Sequence, residues 1–273
     1  MDLLLKAIIL GVVEGVTEFL PISSTGHLII VGQVVRFSGT FAKMFDIVIQ
    51  LGAILSVIVY FWKRLYPFSP KQSAEEKRAI FGTWKKAILG VLPAIVIGGL
   101  LGHRIEEWLF NPLTVTLALF IGGILLLVAE RRTRTARITA VNDLSNATVL
   151  WIGLFQCLAM IPGTSRAAAT IIGAMLLGAS RSVAAEYSFF LAIPTMTAAS
   201  AYSLLKHGAS CSPAEWTALG VGFLVSFLVA WGVIAFFMNY IRKHTFDLFA
   251  YYRIVLAIVV GALMMTGMFP SVG

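Results

Sequence analysis

Apolar residues run along this chain in long blocks rather than in the short alternations of a soluble fold. Six blocks are long enough to cross, or nearly cross, a hydrocarbon core that needs about 20 residues of helix. They are Phe45 to Phe61, Ala87 to Leu101, Leu113 to Ala129, Tyr187 to Leu205, Trp216 to Met238 and Phe249 to Met268. Two further stretches break the pattern. Gly11-Val-Val-Glu-Gly-Val-Thr-Glu-Phe-Leu-Pro-Ile-Ser-Ser-Thr-Gly-His27 and Gly153-Leu-Phe-Gln-Cys-Leu-Ala-Met-Ile-Pro-Gly-Thr-Ser-Arg-Ala-Ala-Ala-Thr170 set ionisable and hydroxyl residues in apolar surroundings. Each is two runs of about ten residues broken at Pro21 or Pro162, and neither run can span alone. The pattern predicts two re-entrant helical hairpins with tips near mid-membrane.

The expected fold is an all-α polytopic membrane protein. A hairpin followed by three spans occurs twice, and an odd number of spans inverts the second copy. The expectation is one integral membrane domain, with repeat one at about 1–140 and repeat two at about 141–273. The two broken stretches align as Gly11 with Glu14 against Gly153 with Gln156, then Pro21 against Pro162, then Ser23-Ser24 against Thr164-Ser165. This alignment places one deletion in the second copy. Basic residues divide unevenly. Lys63, Arg64, Lys71, Lys77, Arg78, Lys85, Lys86, Arg131, Arg132, Arg134, Arg137, Arg181, Arg242, Lys243 and Arg253 fall on one side, against Lys6, Arg36, Lys43, Arg104 and Lys206 on the other. The positive-inside rule then puts the first group in the cytoplasm and both termini outside.

Composition supports the membrane reading, with 59% hydrophobic residues and a mean hydropathy of +0.89. The net charge of +8 fits orientation rather than nucleic acid, because the basic residues flank apolar spans. Lys6 precedes an apolar run that Glu14 and Glu18 interrupt, so the start of the chain reads as part of the fold rather than as a cleaved signal. Cys157 and Cys211 read as structural. Gly98-Gly99 and Gly122-Gly123 read as close-approach points between helices, and Pro93 and Pro194 as kinks in membrane helices.

Ionisable residues are costly in hydrocarbon, so the broken stretches are the candidate site. Glu14 and Glu18 are four apart and share one helix face, suited either to a divalent ion or to an acid and base pair. The hydroxyls after each proline are natural N-caps of a second half-helix. A helix N-terminus also attracts anions, and Arg166 can fork onto phosphate oxygens, so the expected ligand is anionic. His27, three residues from Ser24, can act as base, acid or metal ligand. Asp46 and Glu186 stand at nearly corresponding places in the two halves, as a structural pair or as site groups. His103, His207 and His244 receive no role.

Glu14-x-x-x-Glu18, Pro21-x-Ser-Ser-Thr-Gly-His27 and Pro162-Gly-x-Ser-Arg166 with Thr170 resemble the signature segments of the undecaprenyl-diphosphate phosphatases, the bacitracin-resistance phosphatases of bacterial membranes. The resemblance covers nearly the whole chain, including Phe45-Asp-Ile-Val-Ile-Gln-Leu-Gly52. It implies hydrolysis of the C55 isoprenyl diphosphate to the monophosphate that carries cell-wall precursors, and with it bacitracin resistance. One departure stands out: Ala167 and Ala168 occupy the place of the family's usual Ser-Gly pair. The resemblance leaves the nucleophile open between a serine, the histidine and an activated water; Ser24 activated by His27 is the preferred reading. Glu14 and Glu18 complete the candidate catalytic set and are the candidate ligands of Mg²⁺ or Ca²⁺. Arg166, Ser165, Thr164, Ser23, Thr25, Gly163 and Thr170 are the candidate phosphate-binding residues. The expected location is the bacterial plasma (inner) membrane, with the site open to the periplasmic side and laterally to the lipid that supplies the substrate. No feature of the sequence fixes an oligomeric state.

Lipid phosphatases of the type 2 phosphatidic acid family share Pro-Ser-Gly-His and Ser-Arg elements but require a His and an Asp on one helix beyond the Ser-Arg. Here Ile172 is the sixth residue after Arg166, and no His follows until His207. The competing class is a transporter or flippase of an anionic lipid carrier, since inverted repeats with broken helices also build carriers.

Overall fold

A computed structural model describes residues 1–132, 136–208 and 211–265. Arg134, counted above among the basic loop residues, and the last positions of the sixth predicted span lie outside these residues.

The chain is helical, in the order α1 (Leu3–Thr17), α2 (Ser24–Val35), α3 (Thr40–Tyr60), α4 (Trp62–Leu65), α5 (Ala74–Leu109), α6 (Pro112–Arg132), α7 (Asn146–Cys157), α8 (Arg166–Leu176), α9 (Arg181–His207), α10 (Pro213–Ile241) and α11 (Asp247–Met265). Among the described residues six helices, α3, α5, α6, α9, α10 and α11, are long and apolar enough to cross a membrane, and each coincides with one of the six predicted blocks over nearly all of its described length. The protein is a multi-pass membrane protein. Its helices overrun the blocks, most of all α5, because charged residues at Ala74–Lys86 continue the helix beyond the apolar stretch. Glu186, placed before the fourth block by hydropathy, consequently sits inside α9. α5 also turns most of its apolar window outward, with only 11% of it buried, so Ile88, Leu92, Ile95 and Val96 face the surroundings.

Local sequence explains where helices begin. Ser73 and Glu76 form a capping box at α5: the Glu76 amide donates to the Ser73 hydroxyl at 3.2 Å and the Ser73 amide donates to the Glu76 carboxylate at 2.7 Å. Ser212 and Glu215 repeat the device at α10.

The chain divides into two compact units. One holds residues Met1–Phe19, His27–Ala87 and Phe189–Phe237; the other holds Leu20–Gly26, Ile88–Ser188 and the chain from Met238. In the first unit α1 lies close on α10, since a Cβ at Gly11 would stand 2.7 Å from the Gly222 carbonyl oxygen. Its core includes Leu10, Phe45 and Ile49, all fully buried, and an aromatic cluster in which Phe19 meets Phe189 edge-on at 5.0 Å. In the second unit α7 lies equally close on α5, where Gly153 abuts the Gly90 carbonyl. α6 packs along α11 there through Gly122 and Gly123, as their sequence suggested.

Candidate functional site

α1 ends at Thr17, four residues before Pro21, and the chain resumes as a helix at Ser24. α7 runs through a single 3₁₀ turn at Leu158–Met160, and helix resumes at Arg166. Both breaks close in the same way. Ser23 takes φ 75° and Ser165 takes φ 70°, unusual values for residues with a side chain. Each hydroxyl then accepts the amide three residues on, Gly26 to Ser23 at 3.2 Å and Ala168 to Ser165 at 3.2 Å. The N-cap expectation is met by these two residues. Ser23 stands twelve residues after Gly11, and Ser165 twelve after Gly153. The caps therefore pair Ser23 with Ser165, Ser24 with Arg166 and Pro21 with Gly163. The deletion inferred from sequence is not needed, because backbone conformation rather than the order of hydroxyls marks the equivalent positions. Holding two non-glycine residues at positive φ costs roughly 1–3 kcal/mol each, so the surroundings must impose both turns.

The first unit carries three candidate residues. Glu14 is fully buried on α1, and Glu18 is buried at its C-terminus. Glu18 keeps helical geometry, its amide donating to the Glu14 carbonyl at 2.9 Å, so the two carboxylates share one helix face as predicted. His27 is half-buried on α2. Gln156, at the place in the second segment that Glu14 holds in the first, is buried in the second unit.

The second unit carries the remainder. Ser24 and Arg166 are each the first residue of a half-helix and each is buried. The Arg166 guanidinium donates through one terminal nitrogen to the Ser188 carbonyl at 3.0 Å and to its hydroxyl at 3.2 Å. Thr170 is fully buried. Its hydroxyl lies 2.6 Å from that of Ser188 and bonds the Arg166 carbonyl at 2.9 Å, so Thr170 sits beneath Arg166 in one hydrogen-bonded cluster. Thr25 and Thr164 are half-exposed, and the Thr164 amide closes a turn onto the Ile161 carbonyl at 3.1 Å. Gly163 has φ 90°, and a Cβ there would stand 2.6 Å from the Val115 carbonyl oxygen, so no larger residue fits. Ala167 and Ala168, where the resembling family has Ser-Gly, are both buried in α8.

Two residues escaped the sequence reading. Ser188 carries no motif, being one serine within an apolar span. Arg253 was counted among the orienting loop charges, yet it is fully buried on α11. Its Nε donates to the Leu119 carbonyl at 3.3 Å and its terminal nitrogens to Pro21 at 3.2 Å, Ala118 at 3.0 Å and Gly163 at 3.2 Å. The available signal was its place inside the sixth apolar block, four residues past Phe249, where a purely orienting charge would lie outside the block.

A family model described as bacitracin resistance protein BacA matches residues 7–259. The chain belongs to this BacA family. Its relatives in the family include undecaprenyl-diphosphatase 1 of Clostridioides difficile strain 630, 50% identical over 93% of this chain and 94% of the relative. The undecaprenyl-diphosphatase of Caldanaerobacter subterraneus subsp. tengcongensis is 48% identical over 95% of each chain. That of Enterococcus faecalis is 46% identical over 94% of this chain and 95% of the relative. The BacA match takes in both broken segments and five of the six spans in full, so it reaches the resemblance carried by the motifs along nearly the whole length.

Proposed function

We propose that this membrane hydrolase converts undecaprenyl diphosphate to undecaprenyl phosphate and inorganic phosphate, recycles the lipid carrier for cell-wall synthesis and so confers bacitracin resistance. The observation that carries this reading is near-full-length similarity to undecaprenyl-diphosphatases in a chain that keeps the motif carboxylates, Ser24, His27 and Arg166.

The two broken segments act as re-entrant hairpins of an inverted repeat, with the halves near 1–140 and 141–273. Three paired features support this: the Ser23 and Ser165 caps at equal offsets, the capping boxes of α5 and α10, and the exchange that packs α1 on α10 and α7 on α5. By the positive-inside rule, the basic residues concentrated at 63–86, up to the charged start of α5, and at 131–137, from the end of α6, favour a cytoplasmic position for those ends, with both termini outside and the site toward the periplasmic face of the bacterial plasma membrane.

The chemistry follows from the half-helix starts. Arg166, anchored through one terminal nitrogen on Ser188, offers its remaining donors and its charge to the diphosphate, and the N-termini of α2 and α8 add their dipoles. Ser24 Oγ attacks the terminal phosphorus while His27, three residues on along α2, takes its proton. The bond to the bridging oxygen breaks and undecaprenyl phosphate leaves. Water then cleaves the phosphoserine, and His27 returns the proton. Glu14 and Glu18 are hard oxygen donors side by side, which fits Mg²⁺ or Ca²⁺ accompanied by phosphate oxygens. A bound ion would neutralise charge developing on the phosphates.

Purified protein in detergent, given undecaprenyl diphosphate, should release inorganic phosphate. A carrier would bind the lipid and release none, and that result would overturn the hydrolase reading.

A further inference from the structure

We propose that Arg253 is a positioning residue that sets the two active-site turns against each other; the proposal rests on the hydrolase reading above. A guanidinium has five N–H donors in one plane, and this one makes four bonds to four different backbone carbonyls. Two belong to α6, at Ala118 and Leu119. The other two, Pro21 and Gly163, are the residues that the caps identify as equivalent in the two segments. Each lies two positions before a strained serine, Ser23 or Ser165, and three before the first residue of a half-helix, Ser24 or Arg166. One planar cation therefore grips the same point of both turns. It fixes the separation and orientation of the groups that face the phosphates without touching substrate itself.

The surroundings are shaped for this group. A Cβ on Gly122 of α6 would clash with the guanidinium, standing 2.8 Å from its central carbon, so glycine there provides its space. Among the described residues no carboxylate pairs with Arg253, whose bonds all go to neutral carbonyls. Ion-pair neutralisation, the usual structural reason for a buried arginine, is therefore not its task. Lysine would keep the charge but offers a compact point donor that cannot hold carbonyls on two segments and on α6 in one plane.

The test compares wild type with Arg253→Lys and Gly122→Ala, and with Gly99→Ala as a control whose added Cβ would meet nothing within 4 Å. Phosphate release from undecaprenyl diphosphate is measured per monodisperse, folded molecule, alongside thermal stability. Arg253→Lys should lower kcat at least about tenfold, about 1.4 kcal/mol of transition-state stabilisation, while KM changes less, because Arg253 bonds only carbonyls of its own chain. Gly122→Ala, which displaces the guanidinium without removing its charge, should lower kcat in the same direction, and the control should match wild type. If Arg253→Lys does not fold, Gly122→Ala decides. A wild-type kcat in either folded variant, whatever its melting temperature, overturns the positioning role. A wild-type protein that releases no phosphate overturns the hydrolase reading and this one with it.

Discussion

The two broken segments share a scaffold and differ in chemistry. Each runs from a close-packed glycine, Gly11 or Gly153, through a break to a serine at positive φ that caps a new half-helix twelve residues later. On this common frame the first segment carries Glu14, Glu18, Ser24 and His27. The second places Gln156 where the first has Glu14, and Arg166 where the first has Ser24. One segment holds groups that can attack, carry protons or bind a cation, and the other holds neutral and cationic groups suited to holding an anion. Under the proposed function, two similarly capped helix N-termini would divide the labour through a few differing side chains.

The largest test of that division is Ser24→Ala. Removing the proposed nucleophile should cut turnover by at least about a hundredfold with folding intact. Near-native turnover would move the attacking group from the serine to water. Next comes Glu14→Gln, which gives the first segment the amide of the second. Phosphate release should fall by roughly thirtyfold or more, and the response to added Mg²⁺ or Ca²⁺ after chelation should weaken, about 2 kcal/mol for a lost charged interaction. If wild-type protein keeps full activity in chelator, the carboxylates act as acid and base instead.

Arg166→Lys probes the other segment. It keeps the charge and loses the planar fork, so turnover should drop about fifteenfold, about 1.6 kcal/mol and at the low end of the 1.5–3 kcal/mol of a charged hydrogen bond. An unchanged rate per folded molecule with a large stability loss would make Arg166 a structural counter-charge. The smallest effect belongs to Ser188→Ala. It removes the hydroxyl between Arg166 and Thr170 but keeps the carbonyl that Arg166 also bonds. A drop of about fivefold, near 1 kcal/mol, is expected, and activity equal to wild type would show that the carbonyl alone orients Arg166.

Much of this was legible in the chain. Six spans followed from apolar length, and both broken segments from proline inside an apolar run carrying charges. The carboxylate pair followed from i, i+4 spacing, a local relation that a helix preserves. The register between segments was misread by one residue because hydroxyl residues adjoin in both, and only the backbone shows which of them turns.

What the sequence by itself determined is therefore local or summed: hydropathy over about 20 residues, helix-face spacing, capping potential, and the motif residues themselves. What the tertiary structure alone decided is where long polar side chains end. Arg253 looks like a membrane-edge charge because it lies near the start of a span, yet its partners at Pro21, Ala118, Leu119 and Gly163 are 232, 135, 134 and 90 residues away in sequence. Ser188 likewise meets Arg166 from 22 residues away. The physical reason is the reach of a side chain. Hydropathy and helical period register only neighbours along the chain, whereas a buried cation must find its acceptors wherever the packed helices present them.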